Sequence, residues 1–153
     1  MADRNLPSTR VIELKYGMKN IQNIQVIVLE LGPIRRTVNT NEVRTIVVGD
    51  YTGIINFSVW NEYCSFLKPM DIIRIRGGIV NAHKRSLNLS ITKSGDITKI
   101  GEFCFGVNES VNLSQEGYLS QEIWEKIQQE EETRRQNISN GTNGRNPSVS
   151  SEN

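Results

Sequence analysis

The chain is poor in the residues from which catalytic and metal centres are usually built. Its 153 residues include one histidine, His83, and two cysteines, Cys64 and Cys104. One imidazole and no cysteine pair at ligand spacing argue against a zinc site. Two cysteines make no disulfide framework, and each reads as a small buried thiol of a reducing compartment. No run of eighteen apolar residues is present, which excludes a helical membrane span, and Met1 to Tyr16 hold no apolar stretch of the kind a secretory signal needs. The phosphate-binding glycine loops, HExxH and the nucleophile elbow are all missing. Asp50 and Asp71 fall at turns, where aspartate caps backbone N–H groups without any catalytic role. These absences disfavour an enzyme and call for no cofactor. An excess of one charge is missing too: 18 basic residues face 17 acidic ones, so any basic surface has to be local.

What the sequence does have is a series of short β-branched runs between turn signals. Ile24–Leu31 is stopped by Gly32-Pro33, and Val43–Val48 by Gly49-Asp50. Ile54–Trp60 follows the Thr52-Gly53 turn. Asn61–Leu67 reads as a helical turn closed by Lys68-Pro69. Asp71–Arg76 runs into Gly77-Gly78 and continues as Ile79–Ala82 past a glycine bend, and Leu87–Ile91 is the fifth run. Short strands with close turns predict a small antiparallel barrel or sandwich.

Strand side chains alternate between faces. Ile55, Phe57 and Val59 therefore form a core face, and Ile54, Asn56, Ser58 and Trp60 the opposite one. An outward tryptophan beside small polar groups suits stacking on a base or a sugar; it equally suits a lid over a barrel end. Arg44 lies in the second run, Arg74 and Arg76 share a face of the fourth, and Arg35-Arg36 follows the first. The loop Asn81-Ala82-His83-Lys84-Arg85-Ser86 adds cations, as does Lys93. Such residues either track a phosphate backbone or are ordinary solvated charge.

Composition changes near residue 128. From Gln129 onward only Ile138 and Val149 are aliphatic, which predicts a disordered, polar C-terminal tail over 129–153. Without it, residues 1–128 hold 15 basic and 13 acidic residues. Residues 116–128 suggest a short helix capped by Ser120, with Ile123, Trp124 and Ile127 on one side. It is either a marginal helix fraying into the tail or a docking helix anchored by Trp124.

The wording of several segments is more specific. Gly17-Met18-Lys19-Asn20-Ile21, Ile27-Val28-Leu29-Glu30 and Glu42-Val43-Arg44-Thr45 lead to Asp50-x-Thr52-Gly53-x-Ile55-Asn56-x-Ser58-Val59-Trp60. Pro69-x-Asp71-Ile72-Ile73-Arg74 follows, then Gly95-Asp96-x-x-Lys99-Ile100-Gly101-Glu102-Phe103-Cys104. Over residues 14–115 this resembles the DNA-binding component of the SOSS complex, the family of eukaryotic single-stranded-DNA-binding proteins with one OB-fold. The resemblance implies an all-β, five-stranded antiparallel OB-fold barrel with a short helical turn between strands 3 and 4, after a flexible N-terminus over 1–13. It also implies a nuclear protein that binds single-stranded DNA in the DNA damage response and promotes double-strand break repair by homologous recombination. Its partners would be an integrator-complex scaffold subunit and a small third SOSS subunit, with no membrane and no small-molecule substrate. The family's docking face points to Ile100, Glu102, Phe103 and Cys104.

The resemblance places four base-stacking aromatics. Trp60 matches the first, and the others fall on Ile79, His83 and Ser90. The expected nucleic-acid-binding set is therefore Trp60, Asn56, Ser58, Arg44, Arg74, Arg76, Ile79, His83, Lys84, Arg85 and Lys93. The missing aromatics keep open an adaptor that retains the scaffold face but has lost DNA affinity. An RNA-binding OB module is a third reading, since nothing here recognisably reads a 2′-hydroxyl. The basic loop argues against a carbohydrate ligand for Trp60.

Overall fold

The computed structural model describes residues 8–102 and 106–145. Five strands close into a barrel in the order β1-β2-β3-β5-β4, the OB-fold arrangement that the resemblance implies. The strands are β1 (Ile24–Arg36), β2 (Glu42–Asp50), β3 (Gly53–Trp60), β4 (Asp71–His83) and β5 (Ser86–Glu102). A one-turn helix, α1 (Tyr63–Phe66), joins β3 to β4. All neighbouring strands are antiparallel except β3 and β5, which pair in parallel at Asn56–Asn88 and Phe57–Leu89.

The alternation in β3 is realised from Ile55 to Trp60, but Ile54, expected on the outward face, is buried where Val111 and Leu113 hydrogen-bond to its backbone. Ile55, Phe57 and Val59 are fully buried with Ile46 and Val48 of β2 and Ile73 and Ile75 of β4. The strands outrun the sequence boundaries where bulges intervene. β1 continues through Gly32-Pro33 because its register with β2 shifts between Leu31 and Ile34, and a bulge tolerates a proline that cannot donate. β4 bends at Gly77, whose φ is +75°. A Cβ on Gly95 of β5 would stand 2.5 Å from the Arg76 carbonyl oxygen, so both strands need glycine at this crossing. The bend lets one half of β4 pair with β1 and the other half with the start of β5.

The barrel unit also begins before residue 14. Val11, in the 3-10 turn Val11–Glu13, is fully buried, and its N–H donates to Asp50 Oδ2 at 3.0 Å. Asp50 Oδ1 accepts from the Thr52 N–H and hydroxyl at 2.8 and 2.6 Å, the capping role expected of it. Asp71 likewise accepts from Lys68 N–H at 2.9 Å and pairs with Lys99 at 3.0 Å. Beyond β5, a segment over residues 107–118 fills the gap between β3 and β5. Leu113 is fully buried there, its N–H donates to the Ile54 carbonyl at 3.0 Å, and its carbonyl accepts from Leu87 N–H at 2.8 Å.

The described residues 119–145 form a separate unit. Its helix, α2 (Gln121–Arg145), is capped by the Ser120 hydroxyl accepting from Ile123 N–H at 3.2 Å, as the sequence suggests. The helix does not stop near residue 128 but crosses most of the stretch expected to be a disordered tail. Composition misleads here because Gln, Glu and Arg bury nothing yet form helix well. Their spacing also allows contacts one turn apart, Gln121–Glu125 at 3.1 Å and Arg135–Glu132 at 3.3 Å.

Cys64 on α1 is buried, and its Sγ lies 3.7 Å from the Val59 carbonyl oxygen. Burial pushes its thiol above the ordinary range, with the nearby Glu42 adding to the shift. The unfolded chain therefore ionises first, so Cys64 contributes its full stabilisation below the ordinary thiol pKa and loses it as pH rises through the folded value. Iodoacetamide at neutral pH should label Cys64 only as the protein unfolds, which peptide mapping across a denaturant series reads directly. Rapid labelling without denaturant would contradict this burial.

Candidate nucleic-acid interface

The outer face of β2, β3, β5 and the far half of β4 carries the candidate site, built row by row from the strand register. Arg35, Val43 and Trp60 stand side by side across β1, β2 and β3. Thr45 and Ser58 form the next pair. Val47, Asn56, Asn88 and Asn81 then form a row across β2, β3, β5 and β4. Trp60 ends β3 and keeps 41% of its surface exposed, so its ring is accessible beside the polar rows.

Two hollows occupy this face. One, of about 540 Å³, has Asn56, Ser58, Asn88 and Ser114 among its lining, with Arg35, His83 and Lys84 at its margin. The other, of about 410 Å³, lies around Trp60 and includes Ile91, Thr92 and Lys93. Arg35 and Lys84 make no ion pair among the described residues, whereas Arg36 reaches Glu42 at 3.6 Å. Chemically the face offers a π surface, amides and hydroxyls that both donate and accept, and cations at the margin.

The tip of the β4–β5 hairpin is unusual. Lys84 and Arg85 both have positive φ, 51° and 61°, the backbone of a type I′ turn. That turn favours Asn-Gly, and here two long cations occupy it. Ser86 closes the turn, its hydroxyl donating to the His83 carbonyl at 2.7 Å.

Of the residues expected from sequence, Asn56, Ser58, His83 and Lys84 meet in the first hollow, and Trp60 and Lys93 in the second. Ile79 is half-buried on the same face opposite Ser90, and Arg85 sits half-buried beside Lys84. Three arginines do not join them. Arg44 pairs with Val59 and shares the inward face of Ile46, and its guanidinium donates to the carbonyls of Gly32 at 2.5 Å and Cys64 at 2.7 Å. It ties α1 to the β1 bulge. Arg74 and Arg76 precede the Gly77 bend, opposite Thr98 and Asp96 on another wall of the barrel, and line neither hollow.

Thr45, Asn88, Ser114 and Glu116 were not singled out by sequence reasoning, yet line the first hollow. Ser114 bridges two strands, accepting from Asn56 N–H at 2.7 Å and donating to the Leu87 carbonyl at 2.6 Å. The alternation of Leu87 and Leu89 around Asn88 was a usable signal; nothing local pointed to Ser114. On the expected partner-docking face, Ile100 is exposed on β5 and Glu102 is the last residue of that strand, while Phe103 and Cys104 lie outside the described residues.

Comparison with known proteins agrees with the fold. Residues 8–99 match the family model of the single-stranded DNA binding protein Ssb-like OB fold. The single-stranded DNA binding protein Ssb of Saccharolobus solfataricus is 32% identical over 96 residues, which cover 61% of this chain and 62% of that protein. The chain thus spans less than two thirds of that relative's length. Among solved structures, a hypothetical protein of Arabidopsis thaliana superposes with a TM-score of 0.64 at 25% identity, over 76% of this chain and 90% of its own. A domain of replication protein A from Methanococcus maripaludis shares the fold with a TM-score of 0.50 at 22% identity, over 61% of this chain and 97% of its own. With the family model matching more than half of its residues, the chain belongs to the Ssb-like family of single-stranded DNA-binding OB-folds.

Proposed function

We propose that this protein binds single-stranded DNA along the outer face of β2, β3 and β5, without catalysis. Trp60 supplies a stacking platform, and Arg35, Lys84 and Lys93 neutralise backbone phosphates. The observation that carries this reading is the placement of exposed Trp60 in one row with Arg35, next to an open polar groove with a cationic margin. The sequence resemblance extends the proposal to a nuclear, SOSS-like complex in double-strand break repair by homologous recombination, with an integrator-type scaffold subunit and a small third subunit as partners. Ile100, Glu102, Phe103 and Cys104 are the docking residues in that extension. The absence of aromatics at Ile79 and Ser90 favours a second reading, an adaptor with weakened DNA affinity.

Fluorescence anisotropy of labelled oligo-dT, with duplex DNA and matched RNA as competitors, tests the proposal. Binding should fall steeply with salt, by about 0.7 decades in affinity per decade of salt for each phosphate neutralised. Duplex should compete poorly. No binding at low salt would remove the DNA reading in favour of the adaptor, and preferential displacement by RNA would change the ligand.

A further inference from the structure

The floor of the groove is not built for stacking. Asn56, Asn88 and Asn81 stand in register across three adjacent strands, on the outward face. The Asn81 amide reaches Ser90 Oγ only at 3.4 Å. The side-chain amides of Asn56 and Asn88 have no hydrogen-bond partner among the described residues, although both residues are half-buried and line the hollow. Their backbone positions are fixed from beneath: Asn56 N–H is held by Ser114, and the flanking Phe57 and Leu89 are fully buried. These are preorganised amides whose donors and acceptors are left to solvent.

An amide offers a donor and an acceptor side by side. A phosphate offers only acceptors and cannot satisfy both. The edge of a nucleobase offers complementary pairs and can satisfy both at once. We infer that the Asn56–Asn88–Asn81 row reads base edges, so that this protein discriminates among single strands by base. Stacking alone would be largely indifferent to sequence, because every base has a π face. The inference rests on the groove being the single-strand site proposed above.

The test is competition for the labelled oligomer by unlabelled dA, dC and dT homopolymers of equal length and by a strand of abasic sites. A good bidentate amide–base pair discriminates by about 5- to 150-fold, so wild-type affinities should spread by at least about tenfold. In Asn56→Ala/Asn88→Ala the homopolymers should converge to within about threefold, while affinity for the abasic strand stays at the wild-type value. Neither amide holds the fold, and thermal unfolding checks this; the single variant Asn88→Ala, expected to narrow the spread, serves if the double variant does not fold. A spread below threefold in wild type, or a spread that survives the substitutions, overturns base reading but leaves single-strand binding intact. Failure to bind any strand overturns both.

Discussion

Replacing Trp60 with alanine should weaken oligo-dT binding by roughly 5- to 150-fold, the equivalent of about 1–3 kcal/mol for one stacked base. The protein should remain folded, because Trp60 stands at the end of β3 with 41% of its surface exposed and the core of that strand is carried by Ile55, Phe57 and Val59. The slope of affinity against salt should not change, since the substitution removes no cation. Trp60→Phe should recover part of the loss, as a smaller π surface still stacks. Trp60 also reports its own contact. With Trp124→Phe in the background it is the sole tryptophan, and its emission should change on adding oligo-dT. Unchanged affinity in Trp60→Ala would leave the tryptophan as a cover over the barrel end. A loss accompanied by a lower melting temperature would make its role structural.

That Trp60 faces outward was legible in the sequence, because β3 pairs with β2 without a bulge and period-two alternation holds from Ile55 to Trp60. The five runs and the one-turn helix were legible because turn residues separated β-branched runs, whereas closure into an OB barrel rather than a sandwich came only from the resemblance. Legibility failed where registers slip. Arg74 and Arg76 do face outward as their alternation says, but the shift between Arg76 and Gly78 and the bend at Gly77 put them on a different wall from Ile79, Asn81 and His83. Local periodicity carries no information about which wall an outward residue leaves from. Arg44 is a different case. It shares parity with Ile46 and Val48, so its inward direction was readable, and only its charge suggested otherwise. Ser114 is distant in sequence from the strands it bridges and became visible only once Leu113 had filled the gap between β3 and β5.

The hairpin tip should show binding and stability moving in opposite directions. Each non-glycine residue held at positive φ costs on the order of 1 kcal/mol relative to a residue suited to it. Lys84 and Arg85 carry that strain in a turn for which Asn-Gly is the favoured pair. The double substitution Lys84→Asn/Arg85→Gly should therefore stabilise the barrel by about 1–2 kcal/mol and raise Tm by several degrees. It also removes Lys84 from the groove margin. By counterion release the affinity–salt slope should become shallower by about 0.7, which corresponds to roughly 8-fold weaker binding near 0.05 M salt and little difference near 1 M. Thermal unfolding and anisotropy on the same preparation check both halves. Unaltered binding would show that Lys84 serves no phosphate, and a lower Tm would show that the two residues hold the turn itself. A stabilised but weaker binder would mean that the chain keeps an unfavourable turn because of where it holds Lys84, at the margin of the groove that Asn56 and Asn88 line.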